Sequence, residues 1–533
     1  MALLAAAALS GFAVLAIEIL GVHLLAPWFG TSHLVWSNQI GIVLLAMAIG
    51  GWLGGSLAKR TDNPLRSGAK LLIVAGLLVP VAIVLLPMVS AWLLPNELTL
   101  DEAGTIFLGG SLGTAILFFA PPVLLLAMLS PLLVEARVQT TGMSAGQAAG
   151  QLGAAGTIGS LLGVFGSSLV AIPLLGSRTT LAITSVALIV GGILLVRAAS
   201  QQSESSSKSG AVVHALWLAL LPAVSVFATE DAAKAANLPE GAEVLVAEET
   251  ALQRLRIIEF PGEERWLQMN EGLDSYQSRW FADQRPWVGG YYDLFALAPL
   301  YAECKPSEQP VQFWILGFGA GSALFPLAQV LDGLPWQAVG VEIDGELCEL
   351  VAEWMPLPAR LQQNLNLIQG GDARAWLRAA PNNLDFIVLD SYTNQFEIPL
   401  HLATEEFFAE VHQHLRPGGV LSINLGTSEK AHSDLGFTDA IRSGLAKSFG
   451  ENVRLHQVPR SRNWVAFARK DLPLASLDQM AALLPTAIPA AVGSALLPGQ
   501  SLQGSPEQAA EAFTDDRNPL ALAQAQLWLG SED

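Results

Sequence analysis

The chain has 533 residues, 52% of them hydrophobic and only 14% charged, with a mean hydropathy of +0.44. An ordinary soluble enzyme carries about 25% charged residues, so that class is excluded, and the wealth of apolar residues excludes a disordered or fibrous chain. Charge is unevenly placed: residues 1–227 hold 8 Lys+Arg and 7 Asp+Glu, whereas 228–533 hold 20 and 40, a net of −20. So acidic a half repels phosphates, which argues against nucleic acid as a partner. It attracts cationic ligands, although keeping the protein soluble is its simplest role. Cys304 and Cys348 lack metal-type spacing. Neither a disulfide framework nor a metal site is therefore expected.

Apolar runs of about 20 residues, long enough to span a bilayer, recur through the first half. They fall at roughly 2–27, 35–57, 70–94, 106–134, 147–174, 178–197 and 211–228. This predicts a multi-pass domain over 1–228 with about six to eight spans, seated among lipids in the cell (inner) membrane. The first run is too long for a signal peptide, lacks a basic start and is followed by further spans. Gly50, Gly51, Gly54 and Gly55 form overlapping G-x-x-x-G pairs, and glycines from Gly146 to Gly163 recur every three or four residues. Such spacing lets helix backbones approach closely in lipid. Glu18 lies inside the first run. A carboxyl in hydrocarbon must face protein or water, either binding a cation or proton or packing as a neutral group.

The 57–70 connection carries Lys59, Arg60, Arg66 and Lys70. Arg137 marks the 135–146 connection, Arg197 and Lys208 the polar, Ser-rich one that follows, and the opposite-side connections carry only Arg178. The positive-inside rule assigns the three basic connections to the cytoplasm.

From about 243 the pattern changes. VLVAEE, RLRIIEF and RWLQM read as short strands of a small β-rich lobe, residues 243–272. FWILGFGAGSALFPLAQVL, QAVGVEID with GELCELVAEWM, and LNLIQGGDARAWLRAA each read as strand, turn and helix. LDFIVLDSY and ATEEFFAEVHQHLRPGGVLSINL continue the alternation. Alternating strands and helices predict a parallel, Rossmann-like α/β sheet over 273–470, with 471–533 as a C-terminal extension. Ligands of such sheets bind beyond the carboxyl ends of the strands. There Gly317, Gly319 and Gly321 form G-x-G-x-G after one strand, and Glu342 ends the next. A carboxylate at that place can accept both ribose hydroxyls of an adenosine. Asp372 ends the third strand, where it can accept from an adenine amino group, and Asp390 ends the fourth as a general base, a cation anchor or a turn former. This spacing leaves open the choice between a dinucleotide and an S-adenosylmethionine-type ligand.

Taken in order, LGFGAGS, VEID, GGDAR, VLDSY, IPLHLATEEFF and LRPGGVLSINL resemble the spermidine synthase family of polyamine aminopropyltransferases. The likeness is closer to its subgroup fused behind a multi-span membrane domain, whose T-D-D-x-x-P element FTDDRNP resembles. The resemblance implies a class I S-adenosylmethionine-type fold and transfer of an aminopropyl group from decarboxylated S-adenosylmethionine to an amine or polyamine. The donor is a co-substrate, with no permanently bound cofactor, and a homodimer is the usual assembly. It further implies Glu342, Asp372, Gln277 and the three glycines as donor-binding residues and Asp390 as the base. Tyr291, Tyr292, Tyr392 and Asp516 are then candidates for the substrate. Two departures bear on specificity: Ala320 and Thr393 stand where the family has acids that contact ammonium groups. A methyltransferase using plain S-adenosylmethionine, or a transporter or sensor with a nucleoside-binding domain, are the alternatives. The family's donor is made in the cytosol. The expectation is therefore that 211–228, which is short and holds His214 and Pro222, does not cross fully, or that one span is miscounted, and that the catalytic domain faces the cytoplasm.

Overall fold

The computed structural model describes residues 1–29, 33–93, 100–201, 238, 241–250, 252–269, 276–392, 398–426, 436–461, 463–484, 488–497, 499–506 and 510–516. The first half is helical: α1 (Ala2–Phe29), α2 (His33–Ala58), α3 (Pro64–Leu93), α4 (Leu100–Phe118), α5 (Ala120–Thr141), α6 (Ala145–Gly166) and α7 (Ile172–Gln201). A π-helical turn, Ser167–Ala171, links the last two. Six stretches, from Ala2–Ala26 to Leu174–Ala199, are long and apolar enough to cross a membrane. The candidate span at 106–134 is divided between α4 and α5, which Pro121 and Pro122 separate at Phe119. The candidate at 211–228 lies outside the described residues.

The glycine stripes are faces of close approach. Backbone of Ala8 and Phe12 in α1 fills the space that a Cβ on Gly159 or Gly163 of α6 would need, and Gly50 and Gly54 of α2 meet Leu124 and Met128 of α5 in the same way. Numbers that rise together make these pairs parallel. Gly76 of α3 against Ser185 of α7, and Gly192 against Ala69, make that pair antiparallel. Asn38 donates to Ser111 at 2.9 Å, so α4 runs beside α2 in the direction that α5 continues. Those two helices therefore follow one another along α2. Leu44, Leu45, Trp52, Leu162 and Phe165 point outward, an apolar surface suited to lipid tails.

The α/β domain docks on one end of this bundle. There the backbone N–H of Ser177 donates to Glu249 at 3.0 Å, and His23 Nδ1 lies 3.6 Å from the same carboxylate. Lys59, Arg60, Arg66, Lys70, Arg137 and Arg197 lie at or near the helix ends on the other side. Between Ser177 and Gln201, α7 rises about 36 Å at ~1.5 Å per residue. The chain leaves α7 at the basic end and re-enters as β1 at the docking end. The α/β domain and the basic connections therefore lie at opposite ends of the helical bundle.

The small lobe is an antiparallel meander of β1 (Glu243–Glu249), β2 (Arg254–Phe260), β3 (Glu264–Met269) and β4 (Tyr276–Phe281). The main sheet holds β5 (Val311–Leu316), β6 (Trp336–Glu342), β7 (Leu365–Gln369), β8 (Leu384–Leu389), β9 (Leu415–Gly426), β10 (Val453–Gln457), β11 (Asn463–Arg469) and β12 (Ser501–Gln503). Its order is β12-β10-β11-β9-β8-β5-β6-β7. From β5 the chain steps outward through β6 and β7, then returns to β8 and β9 on the other flank, all five parallel. The topological switch point therefore lies between β5 and β8. The inner stretches of these strands are mostly apolar on both sides, because helices cover both faces. Phe313 and Phe386 stack at 4.5 Å on one face, and Trp314, Leu316, Ile387 and Leu389 pack on the other. Each such buried side chain contributes roughly 1.5–3 kcal/mol over an exposed one.

Candidate active site

The switch point brings the glycine turn against Asp390. Gly317, Gly319 and Gly321 take φ values of +86°, +53° and +78°, a left-handed backbone that L side chains rarely adopt. At Gly317 a Cβ would also strike the backbone carbon of Asp390, 2.7 Å away. Asp390 N–H donates to the Leu316 carbonyl at 2.8 Å, tying the ends of β8 and β5. The Asp390 carboxylate accepts from Asn424 Nδ2 at 3.0 Å. Asn424 in turn accepts from Asn463 Nδ2 at 2.8 Å, which fixes its amide orientation. Burial pushes the Asp390 carboxyl up to about 7, against the opposing hydrogen bonds from Asn424 and Tyr291. A carboxylate so raised is a far better proton acceptor than one in water.

Glu342, at the carboxyl end of β6, turns back to the loop and accepts from Gly319 N–H at 2.9 Å and Asp344 N–H at 3.2 Å. Its burial raises its pKa, and those backbone donors moderate the shift. Asp372 caps the helix Ala373–Leu377 by accepting from Ala375 N–H at 2.9 Å, and it meets His401 Nε2 at 2.8 Å. Partial burial raises its pKa, but the bonds from Ala375 and His401 outweigh this and leave it lowered. The three carboxyls ring one cavity of about 330 Å³. Gathered acids with apolar walls favour a cation. Among the described residues no cluster of His, Cys, Asp and Glu has the geometry of a metal site.

The structure brings most of the sequence candidates together here. Gly317, Gly319, Gln277, Tyr292 and Tyr392 line the cavity with the three acids. Tyr292 donates to the Gln277 carbonyl at 2.9 Å, and its ring packs at a tilt against Tyr291 with centroids 4.1 Å apart. Tyr392 donates to the Asn424 carbonyl at 2.6 Å and accepts from Gly426 N–H at 3.1 Å. Ala320 N–H donates to Ser278 at 3.0 Å, so the loop leans on β4. Gly321 closes the turn without lining the cavity, and Thr393 lies outside the described residues. Asp516 is exposed and is not part of the cavity wall. Its neighbour Asp515 carries the element's structural role: Arg374 clasps it at 2.7 and 2.9 Å and also holds Glu410, while Thr404 donates to it at 2.8 Å.

Sequence reasoning did not single out His401, Asn424 or Trp36. His401 sits inside the motif IPLHLATEEFF and Asn424 inside LSINL, two residues from the strand end, so each had a local signal. Trp36 had none: it belongs to α2 of the helical bundle, yet it lines the same cavity as Asp390.

No family model matches the chain. Over 184 residues it is 32% identical to a probable polyamine aminopropyl transferase of Bifidobacterium longum, a match that takes in 34% of this chain and 38% of that protein. Over 224 residues it is 27% identical to the polyamine aminopropyltransferase of Vibrio vulnificus, taking in 40% of this chain and 71% of that one. A probable spermidine synthase of Corynebacterium glutamicum superposes with a TM-score of 0.40 at 20% identity, over 52% of this chain and 97% of that one. Human methyltransferase-like protein 13, solved with SAH, superposes at 0.29 and 21% identity, over 38% of this chain and 89% of that one. In sequence the chain is similar to polyamine aminopropyltransferases, and the match spans about two-fifths of the first relative's length.

Proposed function

We propose that the chain is a membrane-anchored aminopropyltransferase that moves an aminopropyl group from decarboxylated S-adenosylmethionine to an amine or polyamine. The observation that carries this reading is the buried Asp390 carboxyl, raised to about 7 and held by Asn424 beside the glycine turn. The donor's adenosine lies along that turn, with Glu342 accepting from the ribose hydroxyls and Asp372 from the adenine amino group. The acceptor ammonium gives a proton to Asp390. Its freed lone pair attacks the methylene next to sulfur, the carbon–sulfur bond breaks, and its electrons go to the sulfonium to release methylthioadenosine. The protein's contribution is alignment and proton acceptance. Gln277 joins the donor side, and Tyr291, Tyr292 and Tyr392 shape the acceptor side. Residues 1–228 anchor the enzyme in a cell membrane, 243–272 form its lobe together with β4, the rest of 273–470 forms its catalytic domain, 471–533 is an extension that lends β12 to the main sheet, and two chains assemble as a dimer.

One observation favours a second reading. Ala320 is almost fully buried in the glycine turn, where an acid would be needed to hold the donor's free ammonium. A donor that keeps its carboxylate tolerates alanine there better, and it serves methyl transfer. Purified chain incubated with each donor, followed by mass spectrometry of the nucleoside, separates the readings. Methylthioadenosine supports the first and S-adenosylhomocysteine the second. Neither product would leave a nucleoside-binding sensor or transporter.

A further inference from the structure

We infer that the α/β domain and its cavity lie on the side of the membrane away from the cytoplasm. Two independent features meet in this conclusion. The first is the direction of the helices. Trp36, near the start of α2, lines the cavity that holds Asp390, while Lys59 and Arg60 follow the end of the same helix. The contact of Glu249 with Ser177 and His23 sets the start of α7 and the last two turns of α1 beside the domain. Their far ends, with Arg197 at the end of α7, point away from it. The bundle thus has a docking end and a basic end.

The second feature is how charge divides between those ends. Among the described residues of 1–201, Lys59, Arg60, Arg66, Lys70, Arg137 and Arg197 lie towards the basic end, and Arg178 alone lies at the docking end. Residues 59–63 form a short connection between two long apolar helices. That is the setting in which Lys and Arg decide orientation, because short loops rich in them stay in the cytoplasm. The acidic surplus of the α/β half carries no weight against this, since Asp and Glu contribute little to orientation and folded domains cross largely regardless of charge.

The basic end is then cytoplasmic and the cavity opens on the opposite side. Under the transfer reaction proposed above, both sulfonium donor and amine acceptor have to be present on that side. The orientation itself does not depend on which reaction the cavity performs, and its test needs no activity.

Glu308→Cys places a thiol in the exposed turn before β5, and Asp62→Cys places one in the basic connection. Each full-length variant is expressed in cells, converted to spheroplasts and treated with a membrane-impermeant maleimide, before and after permeabilisation. The unmodified chain gives the background of Cys304 and Cys348. The expected result is labelling at position 308 in intact spheroplasts and at position 62 only after permeabilisation. The reverse pattern overturns the inference, and so does equal labelling of both in intact spheroplasts. A phosphatase that matures only outside the cytoplasm, fused after Asp533, gives a second readout that does not rely on a thiol variant. Phosphatase activity is expected, and an inactive, cytoplasmic fusion overturns the inference.

Discussion

Asp390→Asn removes one ionisable oxygen from the switch point while keeping an acceptor for Asn424. The carboxyl sits at about 7 in the folded chain against an ordinary 3.8, mainly because it is buried. At ~1.36 kcal/mol per unit, that gap of three units corresponds to about 4 kcal/mol. A carboxyl whose pKa is higher folded than unfolded favours the fold only while protonated. Its contribution is complete below about pH 4 and is lost as the pH climbs to about 7. The asparagine does not titrate, so the variant should gain stability relative to the parent between pH 4 and 8. The gain should reach up to about 4 kcal/mol, equivalent to a melting-temperature difference on the order of 10 °C. Turnover should meanwhile fall about 10²–10⁴-fold, the usual contribution of a positioned base. Thermal unfolding of detergent-purified parent and variant at pH 4, 6 and 8, with turnover measured on the same preparations, supplies both readouts. A melting difference that does not change with pH would refute the buried, raised carboxyl. Turnover within threefold of the parent would refute its role as the base.

The remaining expectations follow from neighbouring contacts. The base must be ionised to accept a proton, so kcat/KM should rise about tenfold per pH unit up to about 7 and then level, and a flat pH profile would exclude Asp390 as the titrating group. Glu342→Gln should weaken donor binding by about 1–3 kcal/mol, read by calorimetry, since it removes a charged acceptor from the ribose site. Gly317→Ala should lower stability by at least about 1–2 kcal/mol in denaturant melts, because φ is +86° there and Asp390 backbone fills the Cβ position. Arg374→Met leaves Glu410 and Asp515 without their shared partner and should cost about 1–2 kcal/mol at pH 7. Both carboxyls have lowered pKa values, so this cost should shrink as the pH falls through the acid range, which melts at pH 3 and pH 7 would test.

Much of this chain could be read locally. Membrane-length helices follow from apolar runs alone, because a bilayer sets one length and one composition. The strands β5 to β9 and the glycines and acids at their ends were legible because strand, turn and helix are short-range patterns and parallel sheets present their carboxyl ends to ligands. Asp390, Glu342 and Asp372 were named on that ground, and the structure brings them around one cavity. The tertiary structure decided what distance along the chain conceals. It brought Asn424 and Asn463 behind Asp390 and His401 against Asp372. It also turned Asp515, rather than Asp516, onto Arg374. Adjacent carboxylates are equivalent in sequence, and only packing selects the one that reaches Arg374. It also chose the end of the bundle that carries the α/β domain. Sequence supplied the basic connections, but no local pattern tells which helix ends a domain 200 residues later will meet. That depends on the contact of Glu249 with Ser177 and on Trp36 reaching the cavity, and both are pairings between segments that the sequence keeps far apart.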